Sequence, residues 1–390
     1  MTGDAHPRGS STRAVAAVAT EPVAGLPMTR GPVPAAPYHL GKDEGSESDT
    51  YARASHPGWR DLEVALGALE HPGRGVDSAD IHVRVFGSGM AAITATLRAL
   101  LRTGDTVVVP SDGYYQVRVY AHEQLASRGV TVHEIATAAL GDEDVVDRAL
   151  AEAPGRAVVL AETPSNPTLD VVDLPALADR CRAHGALLAV DNTTATPFGQ
   201  QPLLLGADVV VASGTKSLSG HSDLLMGYSA TTDSALAATI ERERLHSGSV
   251  LGPFETWLAV RSLGTAGLRI QRQNTNALAL ARLLEAHPAV RGVRYPGLPG
   301  DPAHAVATRR MTGFGGLVAF DLPSADAFHR FVDASTLVTS ATSFGGIHTT
   351  ADRRARWGDQ VAPGFVRLSC GIEDTIDLVA DIEAALDRLA

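Results

Sequence analysis

A single lysine stands out in the stretch "VVVASGTKSLSGH" (209–221), because the chain contains only two lysines and takes its other positive charge from arginine. Lys216 follows an apolar run that is typical of a buried strand, and two hydroxyl residues, Ser213 and Thr215, precede it closely. Taken alone, a lysine in this position is usually a solvated loop residue. Beside hydroxyl groups that could hold a phosphate, it could instead form a Schiff base with an aldehyde.

Polar residues of reactive type also follow other apolar runs of the chain. They are Tyr114, Asn166 and Asp191. In an open parallel sheet, ligands bind beyond the carboxyl ends of the strands, so these side chains would share one site with Lys216. The turn "GSGM" (87–90) opens a predicted helix, and the free N–H groups of that helix end could bind an anion.

Together these parts fit a site for pyridoxal 5′-phosphate (PLP). A lysine would hold the aldehyde, a tyrosine would stack on the ring, and an aspartate would pair with the pyridine nitrogen and keep the ring an electron sink. Each part also has a purely structural explanation, since Asp191 could cap a helix and "GSGM" could be a simple strand-to-helix turn. Their coincidence at successive strand ends favours the PLP site.

The elements that must position this site are predicted in residues 58–252, where short Val-rich runs alternate with amphipathic segments. Strands are predicted at 106–110, 130–135, 156–163, 186–193 and 207–213, and helices at 90–101, 144–153 and 174–185. The nearly continuous apolar character of the runs is typical of parallel strands that are covered on both faces. The pattern predicts an α/β fold whose large domain has a wound, mainly parallel sheet.

A smaller α+β domain is predicted for residues 253–390. It contains a long helical stretch at 254–287, strands at 313–320 and 365–371, and helices at 324–334 and 375–390. The first 57 residues are rich in Ala, Pro, Gly, Ser and Thr, and we expect them to form an arm that contacts a neighbouring subunit. The first dozen residues of that arm are expected to be disordered.

Composition narrows the class of protein. The chain has 390 residues and a net charge of −11, which disfavours nucleic acid and anionic membrane surfaces as partners. Two cysteines, Cys181 and Cys370, are too few for a disulfide scaffold, and no metal site is indicated. No apolar run reaches the roughly 18 residues of a membrane helix, and no secretory signal is evident, so a cytoplasmic location is expected.

Seven short motifs carry a resemblance to a known family. They are "YAR" (51–53), "SGMAAI" (88–93), "ETPSNP" (162–167), "AVDNT" (189–193), "SGTKSLSGH" (213–221), "PFETWLAVRSLGT" (253–265) and "RLSCGIED" (367–374). In this order and spacing they resemble the Cys/Met-metabolism family of fold-type I PLP-dependent enzymes, which includes cystathionine γ-lyases, cystathionine γ-synthases and methionine γ-lyases. The resemblance extends from about residue 50 to the end of the chain.

The resemblance implies how PLP would be held. Lys216 would carry the cofactor and then transfer protons, Tyr114 would stack on the ring and assist as a base, and Asp191 would hold the ring nitrogen. The other cofactor-binding residues implied are Asn166 near the ring hydroxyl, and Gly89, Met90, Ser213 and Thr215 at the phosphate. Tyr51 and Arg53 would reach the phosphate of a neighbouring subunit, so the resemblance implies a homotetramer that is built from dimers with shared active sites.

The resemblance also implies a substrate site and a class of reaction. Arg367 would bind the substrate α-carboxylate in a bidentate manner, which lysine does poorly, with Ser343 and Asn166 beside it. The expected reaction is γ-elimination of a sulfur amino acid, with cystathionine as the favoured substrate. A γ-replacement enzyme that acts on an O-acylated homoserine, or a biosynthetic relative, is the alternative. A non-catalytic PLP-fold binding protein is the alternative from another class.

The chain departs from the family pattern around the distal end of the expected substrate pocket. Tyr115-Gln116-Val117 stands where Gly-Gly-Thr is usual, Val119 replaces a common arginine, and His56-Pro57-Gly58 replaces Asn-Pro-Thr. His348 stands where many lyases and synthases have a glutamate. His348 could read the distal group of the substrate or could merely fill its loop. These departures leave the identity of the substrate open.

Overall fold

The computed structural model describes residues 8–42, 48–70 and 80–389. The helices are α1 (Ser10–Ala17), α2 (Pro57–Glu70), α3 (Gly89–Leu100), α4 (Tyr115–Tyr120), α5 (Glu143–Ala151), α6 (Leu174–Ala183), α7 (Thr196–Gly199), α8 (Ser234–Ser247), α9 (Pro253–Leu263), α10 (Ala266–Ala286), α11 (His304–Arg310), α12 (Ala325–Ala334) and α13 (Thr375–Asp387). The strands are β1 (His82–Phe86), β2 (Thr106–Pro110), β3 (Thr131–Ile135), β4 (Ala157–Glu162), β5 (Leu187–Asp191), β6 (Val209–Ala212), β7 (Gly227–Thr231), β8 (Arg291–Arg294), β9 (Leu317–Asp321), β10 (Thr339–Ser340), β11 (Thr350–Arg353) and β12 (Phe365–Ser369). Within these ranges no helix combines the length and the hydropathy that crossing a bilayer requires.

The larger sheet has seven strands in the order β1-β7-β6-β5-β4-β2-β3. All pairings from β6 to β3 are parallel, and β7 is antiparallel to both of its neighbours. The predicted mainly parallel α/β sheet is therefore confirmed. The sequence did not predict β1 or β7, because β1 alternates Arg84 with apolar residues and β7 is mostly small and polar, so neither has the continuous apolar run of a doubly covered strand.

The strands of this sheet bury both of their faces. Val107 and Val109 point to the side that α3 and α8 cover, whereas Val108 points to the side that α5 and α6 cover. Successive residues of a strand face opposite sides, so a strand with helices on both sides has to be apolar at every position. Polar residues that could take part in catalysis are therefore found in the loops that follow the strands.

The second sheet has five strands in the order β10-β11-β12-β9-β8. Its core is shared with α10, α12 and α13, as the sequence predicted for an α+β region after residue 252. The placement of the domain boundaries stays a prediction, since α10 belongs to both cores. Ile270 near its start packs in the core of the large sheet, and Leu280 and Leu284 pack in the core of the second sheet.

The predicted helical stretch 254–287 is divided into α9 and α10. The break falls at Gly264 and Thr265, where glycine lowers helix stability by about 1 kcal/mol relative to alanine. The guanidinium of Arg269 donates a hydrogen bond to the carbonyl of Ser262 at the end of α9, over 2.8 Å. That bond satisfies a carbonyl that the helix end would otherwise leave without a partner.

The N-terminal arm is ordered from Ser10. The expectation of disorder for the first dozen residues is therefore wrong for residues 10–12, and residues 1–7 lie outside the described part of the chain. Helix α1 packs on α2 and α10 of its own chain and buries Ala14 there. Contact of the remaining arm with a neighbouring subunit stays a prediction.

Glu70 is a buried carboxyl that should make stability depend on pH. Its Oε1 accepts the hydroxyl proton of Tyr228, and burial raises the pKa of Glu70 to about 7. The folded chain therefore holds a proton that the unfolded chain releases above about pH 4.5, so stability is lost as the pH rises through 7. Glu70→Gln keeps an acceptor for Tyr228 and removes this titration.

Relative to its value well below pH 4.5, we expect the advantage of Glu70→Gln over the native chain to grow by about 1 kcal/mol at pH 5 and by roughly 3 kcal/mol at pH 8. Urea unfolding of both proteins between pH 5 and pH 8 measures this difference. Glu123→Gln, a change of an exposed carboxyl, serves as the control. If the Glu70→Gln and native profiles run parallel across this range, Glu70 does not titrate on unfolding as described.

Candidate active site

The carboxyl ends of β2, β4, β5 and β6 meet the second sheet around a cavity of about 410 Å³. The cavity brings together most of the site residues that the sequence predicted. They are Gly89, Met90, Tyr114, Asn166, Asp191, Ser213, Thr215, Lys216, Ser343 and Arg367. The parallel strands explain the convergence, because every parallel strand delivers its following residues to the same edge of the sheet.

Lys216 is held by a compact turn after β6. Thr215 fixes this turn, because its hydroxyl donates to the carbonyl of Met226 over 3.1 Å and accepts from the N–H of Met226 over 2.9 Å. The ammonium Nζ of Lys216 lies 2.6 Å from Oγ of Ser343, which belongs to the second domain. The reactive amine therefore lies where the two domains meet.

The surroundings of Lys216 make its amine easier to deprotonate. Burial is the main cause and the nearby charge of Arg367 the second, and together they lower the pKa of Lys216 to about 8, although Asp191 opposes this. A lysine with this pKa has a sizeable neutral fraction at pH 7.5 to 8, and only the neutral amine attacks an aldehyde. The amine is thus suited to covalent capture of a cofactor.

Two carboxyl groups, Glu162 and Asp191, lie side by side at the ends of β4 and β5, where they are register partners. Asp191 accepts two hydrogen bonds from Thr193, both on Oδ1, and its Oδ2 accepts none from the described residues. Burial is the first cause that raises the pKa of each carboxyl, and the charge of Asp191 raises that of Glu162 further. A cationic ring nitrogen at Oδ2 would favour the ionised form of Asp191.

Glu162 has a structural role that the sequence analysis missed. Its Oε2 accepts the backbone N–H of Tyr114 over 2.7 Å, and its Oε1 accepts that of Asn166, also over 2.7 Å. One carboxyl thus ties together the loops that carry two predicted site residues. The available signal was its position at the end of an apolar run, directly before "TPSNP".

The start of α3 forms a cradle for an anion. Ser88 caps the helix by accepting the N–H of Ala91 over 3.0 Å, and the N–H groups of Gly89 and Met90 have no acceptor among the described residues. A Cβ on Gly89 would lie 2.5 Å from Cβ of Ser213, so only glycine lets the helix end approach this closely. Free N–H groups beside a hydroxyl residue fit a phosphate.

Arg367 on β12 fits a ligand with a carboxylate. Its Nη1 donates to Oδ1 of Asn166 and its Nη2 to the carbonyl of Ser343, each over 2.7 Å. Its Nε is buried and has no partner among the described residues. Burial lowers the pKa of Arg367 to about 10, so the guanidinium stays charged at neutral pH while it lacks a full set of acceptors. A substrate carboxylate would supply them.

Three further residues of the site escaped the sequence analysis. Asp352 lies opposite Arg367 in the β11–β12 pairing and accepts its Nη2 over 3.2 Å. The same carboxylate accepts Nη1 of Arg354 over 2.8 Å and the indole N–H of Trp357 over 3.0 Å. The sequence "TADRRARWGD" gave no usable signal, because a run of charges is usually a solvated face and only the strand register places Asp352 beside Arg367.

His348 lies outside this cavity, in a larger neighbouring one. The second cavity, of about 820 Å³, shares Ser343 and Phe344 with the first, and it is open enough that His348 is exposed. Its wall also carries the carboxylates of Asp223 and Glu255. The sequence expectation that His348 faces a distal part of the site is compatible with this position and stays a prediction.

Tyr51 and Arg53 line neither cavity. Tyr51 forms an isolated bridge with Pro37, and the guanidinium of Arg53 lies 5.6 Å from the ring centre of Tyr51. Nη1 of Arg53 also donates to the carbonyl of Leu245 over 3.4 Å. Neither side chain contributes to the site of its own chain, which leaves the predicted contact with a neighbour's phosphate as a proposal.

Comparison with known proteins places this geometry in a family. A sequence profile described as Cys/Met metabolism PLP-dependent enzyme matches residues 35–387. A Streptomyces coelicolor protein with the provisional name cystathionine gamma-lyase is 49% identical over 97% of this chain and 94% of its own length. The L-methionine gamma-lyase of Pseudomonas deceptionensis is 38% identical over 92% of this chain and 90% of its own.

A solved structure has the same architecture. Cystathionine gamma synthase from Xanthomonas oryzae pv. oryzae superposes with a TM-score of 0.91 at 32% identity, over 98% of this chain and 99% of that one. The chain belongs to the Cys/Met metabolism PLP-dependent enzyme family. Its cofactor is therefore PLP, and it is an enzyme of the γ-lyase and γ-synthase type. The free Oδ2 of Asp191 and the cradle at Gly89 fit the ring nitrogen and the phosphate of that cofactor.

The attachment point of PLP can be tested directly. We expect borohydride reduction of the PLP-loaded enzyme, followed by peptide mass mapping, to place the phosphopyridoxyl group on Lys216 and to leave Lys42 unlabelled. Lys216→Arg should keep a cation near Asp191 but take no covalent label, because an arginine does not form this bond under these conditions. A label on Lys42, or none on Lys216, would contradict the assignment.

Proposed function

We propose that this enzyme catalyses the γ-elimination of a sulfur amino acid, with cystathionine as the favoured substrate. The products would be cysteine, 2-oxobutanoate and ammonia, with one water consumed. The observation that carries the proposal is the presence in one cavity of a lysine with a lowered pKa, Lys216, and a buried guanidinium with an unused N–H, Arg367. The names of the 49% and 38% identical relatives, both lyases, support elimination over replacement.

Substrate binding would begin at the carboxylate. Nε of Arg367 would donate to one carboxylate oxygen, and the loop of Ser343, whose backbone carbonyl already holds Nη2, would orient the guanidinium fork. Asn166 would fix the other side of the fork through its Oδ1. PLP, when bound, would withdraw electrons from the amino acid and so acidify its Cα and Cβ protons.

Lys216 and Tyr114 would divide the proton transfers. The neutral amine of Lys216 would take the proton from Cα, because a pKa near 8 suits a base at physiological pH. The sequence suggested Tyr114 as an assisting base, but burial raises its pKa above that of a free phenol, so its hydroxyl stays protonated at neutral pH. It would instead donate a proton to the departing sulfur. Asp191, ionised by its ring-nitrogen partner, would hold the cofactor in its electron-withdrawing form.

A γ-replacement reaction on an O-acylated homoserine is the second candidate. The observation that favours it is the likeness to a γ-synthase structure with a TM-score of 0.91. Replacement differs from elimination in the fate of the same activated substrate, which either adds a thiol or is hydrolysed. A non-catalytic role has less support, because the cavity retains Lys216, Tyr114, Asp191 and Arg367 together.

We expect the PLP-loaded enzyme to release 2-oxobutanoate from L-cystathionine with a higher kcat/KM than from L-methionine. O-acetyl- and O-succinylhomoserine supplied with cysteine should give less cystathionine than elimination gives 2-oxobutanoate. Keto-acid detection and chromatography of the amino acids measure both outcomes. A dominant replacement product would establish the second candidate, and absence of any product with fully loaded PLP would contradict both.

His348→Glu tests whether residue 348, in the larger cavity, contacts the distal group of the substrate. If His348 contacts that group, the variant should change the ratio of kcat/KM between cystathionine and methionine by roughly 5- to 150-fold. His133→Glu, a change on the edge strand β3 of the large sheet, is the control for a new charge. Equal effects of His348→Glu on both substrates would show that it fills its loop only.

We also propose that the active unit contains shared sites, in a tetramer built from dimers, and that the enzyme works in the cytoplasm. Tyr51 and Arg53 line neither cavity of their own chain, and this placement supports sharing. Inactive Lys216→Ala and Arg53→Ala chains, unfolded and refolded together, should regain part of the native activity, because hybrids contain one intact site. Hybrids that stay inactive would contradict shared sites.

A further inference from the structure

Helix α10 places three buried polar side chains on one face. They are Arg269, Gln273 and Asn276, spaced four and three residues apart, so they form one stripe along the helix. Each is nearly inaccessible to solvent, and each donates hydrogen bonds to backbone carbonyls outside α10. Polar groups are buried in this way only where they satisfy specific partners, because an unsatisfied one is costly.

The acceptors belong to three different loops of the active site. Arg269 donates to the carbonyls of Ser217 and Leu218, directly after Lys216, over 2.8 and 2.9 Å. Asn276 donates to the carbonyls of Gly371 and Glu373, which follow the strand of Arg367, over 3.0 and 2.9 Å. One helix is therefore bonded to the loop after the reactive lysine and to the turn after the carboxylate-binding strand.

Gln273 holds the loop between these two. Its Nε2 donates to the carbonyls of Gly345 and Gly346, over 3.2 and 2.8 Å. The same loop begins at Ser343, a non-glycine residue with φ of +70°, a conformation that costs energy and persists only where the surroundings enforce it. Gln273 supplies two of the bonds that enforce it.

The loop that Gln273 holds is packed directly on the lysine turn. A Cβ on Gly345 would lie 2.5 Å from the backbone nitrogen of Ser217 and 3.0 Å from the carbonyl carbon of Lys216, and the φ of Gly345 is +80°. From this position, Ser343 reaches Lys216 through its hydroxyl and Arg367 through its carbonyl. A small displacement of the loop would therefore move both contacts at once.

We propose that Gln273 is a positioning residue for amino-acid recognition, which acts by holding the Ser343–Gly346 loop against the Lys216 turn. Its side chain lines neither of the two cavities. Its two N–H groups fix the loop, and the loop aligns the fork of Arg367. The role of Arg367 in this inference rests on the proposed function, whereas the holding of the loop does not.

The test replaces Gln273 by Met, which removes both donors and keeps the length of the side chain. In PLP-loaded enzyme, amide hydrogen exchange of a peptide covering 341–347 should become about 10-fold faster, because two buried carbonyls lose their donors. The apparent Kd of L-alanine, which has a carboxylate but no γ-leaving group, should rise about 10-fold in an absorbance titration. PLP content should stay equal to that of the native enzyme.

Gln271→Met is the matched control, because it makes the same change on the exposed side of the same helix. It should leave loop exchange and the Kd of L-alanine unchanged. If Gln273→Met does not fold, Gln273→Leu also removes both donors and should show the same two changes. Variants of Gln273 that match Gln271→Met in both measurements would overturn the proposal.

The same experiment separates this inference from the proposed function. If the native enzyme converts none of the γ-substituted amino acids while Gln273→Met still speeds exchange at 341–347, the proposed function fails and the positioning role stands. If turnover is as proposed and loop exchange does not respond to Gln273→Met, the positioning role fails alone.

Discussion

Two cations, Lys216 and Arg367, face one cavity, and holding them there is the constraint on which the rest of the site depends. Lys216 and Arg367 come from different domains, and the charge of Arg367 is one of the causes that lower the pKa of Lys216. Arg367 is only 3% exposed, and among the described residues its ion pair is with Asp352, which also pairs with Arg354. Burial of a charge without full pairing is expensive, so the surrounding structure must hold both cations in place.

The large sheet places two carboxyl groups near these cations, at the ends of neighbouring strands. Because β4 and β5 are adjacent and parallel, Glu162 and Asp191 end side by side. Burial raises the pKa of both carboxyl groups, and the charge of Asp191 raises that of Glu162 further. Both carboxylate oxygens of Glu162 accept backbone N–H groups, one from Tyr114 and one from Asn166. Oδ2 of Asp191 accepts no hydrogen bond from the described residues, and Asp191 lines the cavity.

The sequence predicted the site correctly where a chemically reactive residue directly follows an apolar run typical of a strand. Residues such as Lys216 and Asp191 follow continuous apolar runs, and such runs predict parallel strands whose carboxyl ends lie at one edge of a sheet, so the sequence predicts a shared site there. The motifs at 162–167 and 367–374 then made the family recognisable.

What the sequence could not supply depends on pairing between distant strands or on departures from simple periodicity. Asp352 reaches Arg367 only through the β11–β12 register, which lies inside a charged run without a strand pattern. The break between α9 and α10 was missed because Gly264 interrupts a helical pattern that continues on both sides. The contact predicted for Tyr51 and Arg53 is a different case, because the residue pattern of one chain does not determine where a second chain binds.

The two cations also explain how a substrate could activate its own base. Arg367 lowers the pKa of Lys216 through charge, an effect that strengthens as the effective dielectric falls. An α-carboxylate bound at the unused Nε would neutralise much of that charge and so raise the basicity of the lysine amine in the occupied site. A ligand without the carboxylate would leave the repulsion in place. The rise in the pKa of Lys216 would make each neutral amine a stronger base while lowering the neutral fraction, so carboxylate binding at Arg367 and the basicity of Lys216 would be coupled through charge.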